Sequence, residues 1–206
     1  MVDPRQIALF GGTFDPVHAG HLWMAARARE ALGLDEVWFM PCRLSPHKTG
    51  SPPTAASDRL AMLRLATADL PWAKVKDFEV RGEEVSYSYQ TAEALCEARP
   101  ELRWFWIMGG DQWAELPSWS HPERLAARVE FIVFGRDNEP VEPRAGYRLH
   151  RVSGEHPAAA TAIRQALRDG AGGHPWLPPA VAQWIRGHGL YQGGGRADPA
   201  SGPVPG

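Results

Sequence analysis

Gln6-Ile7-Ala8-Leu9-Phe10-Gly11-Gly12-Thr13-Phe14-Asp15-Pro16-Val17-His18-Ala19-Gly20-His21-Leu22 is the stretch that decides the fold. A short apolar run suited to a buried strand leads into two glycines, then a loop, then a helix expected from about Gly20. Glycines at that point permit close backbone approach or a positive φ. The helix start offers N–H groups without intrahelical partners and the positive end of the dipole, which together suit an anion. His18 and His21 stand three apart on neighbouring ridges of the first turn, so both can donate to phosphate oxygens. A His-x-x-His pair also suits half of a metal site, with Cys42 and His47 as conceivable further ligands; their spacing matches no zinc knuckle.

Working outward, the same alternation repeats along the chain. Apolar runs at 37–40, 74–80, 104–108, 131–134 and 147–152 predict strands, and helical patterns occupy 20–32, 57–69, 88–98, 121–128, 161–169 and 179–187. Gly33 and Gly170 follow the ends of two of these helices, where a left-handed residue closes the last turn. The fold class is therefore α/β, a Rossmann-like parallel sheet with helices on both faces, whose ligands bind outside the carboxyl ends of the strands. Neither a Gly-x-x-x-x-Gly-Lys-Ser/Thr nor a Gly-x-Gly-x-x-Gly sequence occurs, so the usual P-loop and dinucleotide fingerprints are absent. The residues by themselves reach a phosphate-binding α/β protein.

Composition bounds the alternatives. The chain has 206 residues, a formal charge of −2 and 44% hydrophobic content, within reach of one core and without the basic excess of a nucleic-acid coat or a polybasic membrane binder. No nucleic-acid or membrane partner is expected, and the oligomeric state is left open. Two cysteines, Cys42 and Cys96, fit a reducing compartment. With no charged segment leading into an apolar one at the N-terminus, the expected location is the cytoplasm. Glycine (21) and proline (19) make up 40 of the residues, well above the usual share of about 12%. Residues 1–192 are expected to form a single domain including the C-terminal helices, and 193–206 a disordered Gly/Pro-rich tail. The segment 41–57, with four prolines, is too long and too aperiodic for a simple connection and is expected to be functional or mobile.

The stretch from Gly11 to His21 resembles the signature of the nucleotidyltransferase superfamily with a His-x-Gly-His motif, and within it most of all bacterial nicotinate-nucleotide adenylyltransferase. The resemblance runs over about residues 6–191. Pro46-His47-Lys48 is similar to the family's Pro-His-Lys/Arg element, and Ile107-Met108-Gly109-Gly110-Asp111 to its Gly-x-Asp element. Ser86-Tyr87-Ser88-Tyr89-Gln90-Thr91 stands where the family has Ser-Tyr-Thr-x-Asp-Thr, with Gln90 departing from the acid. Trp119 matches a tryptophan that stacks on the pyridine ring. Ala158-Ala159-Ala160-Thr161-Ala162-Ile163-Arg164 aligns with a phosphate motif whose serine is replaced here by alanine, a loss worth about 1.5–3 kcal/mol of binding unless other donors compensate.

The resemblance implies transfer of AMP from ATP to nicotinate mononucleotide. It places Gly11, Gly12, Thr13, Phe14, His18, His21, Gly109, Thr161 and Arg164 on ATP, with His18, His21, Lys48 and Arg164 catalytic around the triphosphate. His47, Lys48, Ser88, Asp111 and Trp119 fall to the acceptor. No protein metal site is implied; Mg²⁺ would be carried mainly by the ATP phosphates. Alternatives are an adenylyltransferase preferring nicotinamide mononucleotide or pantetheine phosphate, and a catalytically weak nucleotide- or metal-binding protein. Read without the family, Asp111 is a helix N-cap, 86–91 a strand-to-helix connection with a hydroxyl cap, and the closing Leu190-Tyr191 structural.

Overall fold

The computed structural model describes residues 3–42, 53–81, 87–135 and 141–192. His47, Lys48, most of the 41–57 segment and the 193–206 tail lie outside them. In chain order the elements are β1 (Gln6–Gly12), α1 (Ala19–Leu32), β2 (Glu36–Pro41), α2 (Ala56–Thr67), β3 (Ala73–Val75), α3 (Phe78–Arg81), α4 (Ser88–Ala98) and β4 (Arg103–Gly109). After these come α5 (Gly110–Glu115), α6 (Pro122–Ala126), β5 (Glu130–Gly135), β6 (Leu149–Ser153), α7 (Ala160–Arg168) and α8 (Pro179–His188).

The six strands are all parallel in the order β3-β2-β1-β4-β5-β6. Because side chains alternate across a strand, each strand feeds two cores. Ala8, Phe10, Val37, Phe39, Phe105, Ile107, Ile132 and Phe134 face one side, packed with Ala25 and Ala28 of α1, Met62 and Leu63 of α2, Ile163 and Leu167 of α7, and Val181 and Ile185 of α8. Ile7, Leu9, Trp38, Met40, Trp104, Trp106, Met108, Phe131 and Val133 face the other, against Tyr89 and Ala92 of α4, Trp113 of α5 and Leu125 of α6. Burial on both faces is why these strands read as continuous apolar runs. The buried residues of α1 are all small (Gly20, Ala25, Ala28), and the helix stops at Gly33, whose φ of 66° lets its N–H reach the Arg29 carbonyl.

One expectation changes. The apolar run at 74–80 is a strand only over Ala73–Val75, which pairs with β2. Lys76 N–H donates the last bond of that ladder, to the Phe39 carbonyl at 2.9 Å, and the Asp77 carbonyl accepts from Val80 N–H as α3 begins. The helix turns Glu79 into the protein while leaving Phe78 exposed. The helix expected over 121–128 is likewise shorter, Pro122–Ala126.

Where β5 begins, the buried Glu130 accepts two bonds from Arg103, both at 2.8 Å, and one contact from His150 at 2.7 Å. The Arg103 guanidinium holds the Glu130 carboxyl down to about 2, against the opposing effect of burial, with His150 adding to it. A carboxyl depressed on folding stabilises fully above its unfolded value near 4.5 and loses that contribution as pH falls toward 2. Glu130→Gln should lower stability at pH 7 by about 2 kcal/mol and flatten the pH dependence below 4.5, read by denaturant unfolding across a pH series.

Candidate active site

The strand order reverses between β1 and β4, and in an open parallel sheet the crevice outside the carboxyl ends at such a point is where ligands bind. Here β1 ends on Gly11-Gly12 and β4 on Gly109. A chamber of about 370 Å³ opens there, its wall including Gly11, Gly12, Thr13, Phe14, His21, Ser88, Gly109, Asp111, Trp119 and Arg164. A second chamber, about 940 Å³, lies toward β5 and β6 and includes His18, Arg144, Glu155 and His156. His21, Met24, Gly109 and Asp111 border both, so the two chambers meet at the end of β4.

Gly11 and Gly12 continue β1, and neither adopts a positive φ. Space is the reason for glycine: a Cβ on Gly11 would come within 3.1 Å of the Trp106 ring, and one on Gly12 within 3.1 Å of Phe14. At Gly109 a Cβ would lie 2.5 Å from Asp111 Oδ1, so the carboxylate, which is folded back over the glycine, would have to swing away. Asp111 is therefore not the N-cap of α5; Gly109 is, and its N–H donates to Gln112 Oε1 at 3.2 Å.

The loop from Thr13 to Val17 is the part of the site with left-handed backbone in a bulky residue, Phe14 at φ 50°, and its ring is buried against Phe10, Phe39 and His21. His18 caps α1 rather than lying within its first turn, and its backbone N–H donates to His21 Nδ1 at 3.3 Å. The two rings stack with centroids 3.7 Å apart. His18 is buried, and its Nδ1 has no hydrogen-bond partner among the described residues. Burial pushes its imidazole down to about 4, and the nearby His156 and His174 add to the shift.

Opposite the histidines, α7 begins at Ala160 with Ala159 as its cap and no side-chain cap bond, so the alanines leave the first N–H groups of α7 without a hydroxyl partner. Arg164 donates from Nη1 to the Asp15 carbonyl at 2.6 Å and from Nη2 to Thr161 Oγ1 at 3.3 Å. Thr161 itself is exposed and reaches the chamber wall only through that arginine. Tyr87, not a hydroxyl residue bonded to the backbone, caps α4, and Ser88 is the first residue of that helix.

Sequence reasoning missed several contributors. Arg59, 1% exposed, donates to the carbonyls of Thr54, Thr13 and Cys42 at 2.7–2.9 Å, joining the loops after β1 and β2. Asp15 stood inside the quoted motif without a role, and Tyr191 was read as structural, yet the Tyr191 hydroxyl donates to Asp15 Oδ1 at 2.5 Å. Glu79 lines the smaller chamber and accepts from Thr91 Oγ1 at 3.1 Å, with burial pushing its carboxyl up. The second chamber's residues from 141 to 156 carried no motif; the signal for them was that segments following β5 and β6 must emerge at the same edge of a parallel sheet. Among the described residues no three His, Cys, Asp or Glu side chains converge as metal ligands, and no helix is long and apolar enough to cross a membrane.

A histidine at a helix start and an arginine on the wall of one chamber, at the switch point of a 3-2-1-4-5-6 parallel sheet, suit a nucleotide-binding α/β protein. The sequence profile of the cytidylyltransferase-like family matches residues 9–167. A "Probable nicotinate-nucleotide adenylyltransferase" of Enterococcus faecalis is 38% identical over 189 residues, covering 91% of this chain and 85% of its own. One of the same name from a Synechococcus strain is 37% identical over 199 residues, covering 91% and 97%. The chain belongs to the cytidylyltransferase-like family, in the group of these nicotinate-nucleotide adenylyltransferase relatives. Among solved structures, Plasmodium falciparum nicotinic acid mononucleotide adenylyltransferase complexed with NaAD matches with a TM-score of 0.75 at 17% identity, over 91% of this chain and 97% of that one. The same enzyme complexed with APC gives 0.74 at 18% over the same shares; at such identity the likeness is one of fold.

The His18 geometry has a solution consequence. A histidine whose folded value lies below its unfolded value near 6.5 is protonated more readily in the unfolded chain, so stability is full above 6.5 and falls as pH drops toward 4. An NMR titration of the free protein should place the His18 midpoint near 4. In denaturant unfolding, His18→Ala should lose the slope between pH 6.5 and 4 while keeping the Glu130 slope below it.

Proposed function

We propose that this protein transfers AMP from ATP to nicotinate mononucleotide, giving deamido-NAD (nicotinic acid adenine dinucleotide) and pyrophosphate. The observation that carries the reading is the junction of the two chambers. His21 borders both chambers, with Arg164 on the wall of the smaller one, which also bears Trp119 and Ser88, and His18 on the wall of the larger one beside β5 and β6. The names of the relatives and the family support the same chemistry.

In this reading the acceptor takes the smaller chamber, its flat pyridine ring on the Trp119 indole and its carboxylate near the backbone at Ser88. Adenosine takes the larger one. Asp111, on the border, accepts from ribose hydroxyls, and Gly109 lets the sugar approach the strand end. A 5′-phosphate oxygen of the acceptor attacks the α-phosphorus of ATP. The new P–O bond forms as the bond to the β-phosphate breaks, and pyrophosphate leaves with that electron pair. The attacking phosphate is already ionised near neutral pH, so no general base and no covalent intermediate are required.

Rate enhancement then comes from in-line positioning and from donors aimed at the developing charge. His18, neutral in the free protein, donates one ring N–H, and His21 is held beside it by the ring stack. Arg164, Thr161, Thr13 and the uncapped N–H groups of α7 converge on the triphosphate, with the backbone of Gly11, Gly12 and Phe14 closing its other side. His47 and Lys48 complete the set as further contacts to the phosphates and the acceptor. The donors gathered here, the Arg164 guanidinium and the backbone N–H groups at the helix starts, suit phosphate oxygens rather than a cation, so a Mg²⁺ ion would be held mainly by ATP phosphates and water and would offset charge on the leaving pyrophosphate. Cys42 and Cys96 are not joined in a disulfide; a cytoplasmic setting belongs to this reading, as does a single domain over residues 1–192.

The test is pyrophosphate release with ATP, Mg²⁺ and each of three acceptors: nicotinate mononucleotide, its amide counterpart and pantetheine phosphate. Release is expected with the first; folded protein that binds ATP and releases none with any acceptor overturns the reading. His18→Ala should cut turnover about 10²–10³-fold, the worth of one donor to transition-state charge, with an unchanged circular dichroism spectrum. Turnover of that variant near the wild-type value removes the phosphate role assigned to His18.

A further inference from the structure

We infer that Tyr191 is a positioning residue of the triphosphate site: its hydroxyl engages the Asp15 carboxylate and so leaves the Arg164 guanidinium available to phosphate. The inference rests on the proposed adenylyl transfer, because it concerns the arginine assigned to ATP in that reading.

Three separated segments converge on one residue of the β1–α1 loop. Asp15 Oδ1 accepts from the Tyr191 hydroxyl at 2.5 Å, across 176 residues of chain. Asp15 Oδ2 accepts from the Thr54 N–H at 3.3 Å, and the Asp15 carbonyl accepts from Arg164 Nη1 at 2.6 Å. Asp15 is buried, and the chamber wall includes both it and Arg164. The backbone leading to the tyrosine is shaped for this contact. Gly189 ends α8 at φ 60°, and Tyr191 itself is left-handed at φ 62°. Left-handed backbone is costly for a bulky L-residue, and the conformation persists because the ring packs on the core and the hydroxyl finds its acceptor. Burial and the neighbouring carboxylate push the phenol up, away from ionisation, so at neutral pH the group is a donor.

The consequence is a competition. Arg164 touches Asp15 through its neutral backbone carbonyl, although a carboxylate on the same residue is the stronger acceptor for a guanidinium. The Tyr191 hydroxyl and the Thr54 N–H each occupy one oxygen of that carboxylate. With the hydroxyl removed, a buried carboxylate oxygen loses its partner, and the cheapest repair is an ion pair with Arg164. That pair draws the guanidinium from the triphosphate. A tyrosine that only filled the core would set thermal stability and leave this competition unaffected.

The experiment compares Tyr191→Phe with Tyr191→Phe combined with Asp15→Asn, measuring KM for ATP and for the acceptor, calorimetric binding of a non-hydrolysable ATP analogue, and the melting temperature. Y191F should raise KM and the dissociation constant for the ATP ligand about tenfold, one hydrogen bond to a charged group, with the acceptor KM within about twofold. Adding D15N should recover most of the lost ATP affinity, because a neutral amide does not compete for Arg164. ATP parameters unchanged in Y191F overturn the inference, as does a loss that D15N deepens, or a Y191F protein that melts below the assay temperature and so assigns the ring to the core alone. A wild-type protein that neither binds the analogue nor releases pyrophosphate overturns the underlying function instead.

Discussion

The buried guanidinium of Arg59 is the interaction on which the site depends. A charge taken out of water is costly unless each donor is met. Arg59 sits at 1% exposure on α2 and meets the carbonyls of Thr13, Cys42 and Thr54. Two of these belong to segments leaving adjacent parallel strands, β1 and β2, which have no ladder to hold them once the strands end. The arginine replaces the ladder. It fixes the point from which the chain turns through Phe14, whose left-handed backbone is tolerated because its ring is locked among Phe10, Phe39 and His21. From there the loop delivers His18 to the start of α1.

Polarity is graded along the sheet. Its middle is apolar on both faces, and its amino edge carries matched charges, Glu130 with Arg103, Arg148 and His150 and Glu36 with Arg5. Its carboxyl edge is built from glycines, helix starts and half-satisfied polar groups. His18 illustrates the difference: Glu130 is buried with its partners, whereas His18 is buried with Nδ1 unmatched and its charge suppressed by burial. A buried imidazole whose charge is suppressed in this way weakens the fold as pH drops below 6.5, whereas the matched Glu130 weakens it only below 4.5.

Much of this was legible in the chain. Period-two alternation in Ile7-Ala8-Leu9-Phe10 and Trp104-Phe105-Trp106-Ile107 assigns residues to two cores because side-chain direction is a property of the strand itself. Gly33 and Gly170 end helices for a reason local to a single φ. Ser88, Asp111, Trp119 and Arg164 could be nominated from motif and position, and the fold brings all four to the smaller chamber. The run at 74–80 shows where local reading stops. Its composition suits a strand throughout, but only three residues find a partner in β2, and beyond them nothing competes with a helical turn.

By itself, then, the sequence determined the class of fold, the edge of the sheet at which the chambers open, and the residue types available there, since these come from period, punctuation and helix polarity within short windows. Only the tertiary structure decided which groups meet. It set Asp15 between Thr54, Arg164 and Tyr191, stacked His18 on His21 and suppressed its charge, turned Glu79 inward and opened a second chamber in which motif residues meet Val141, Glu142, Arg144 and His156. Those outcomes depend on distances between residues far apart in the chain and on the water excluded between them, and neither quantity is a property of any local stretch.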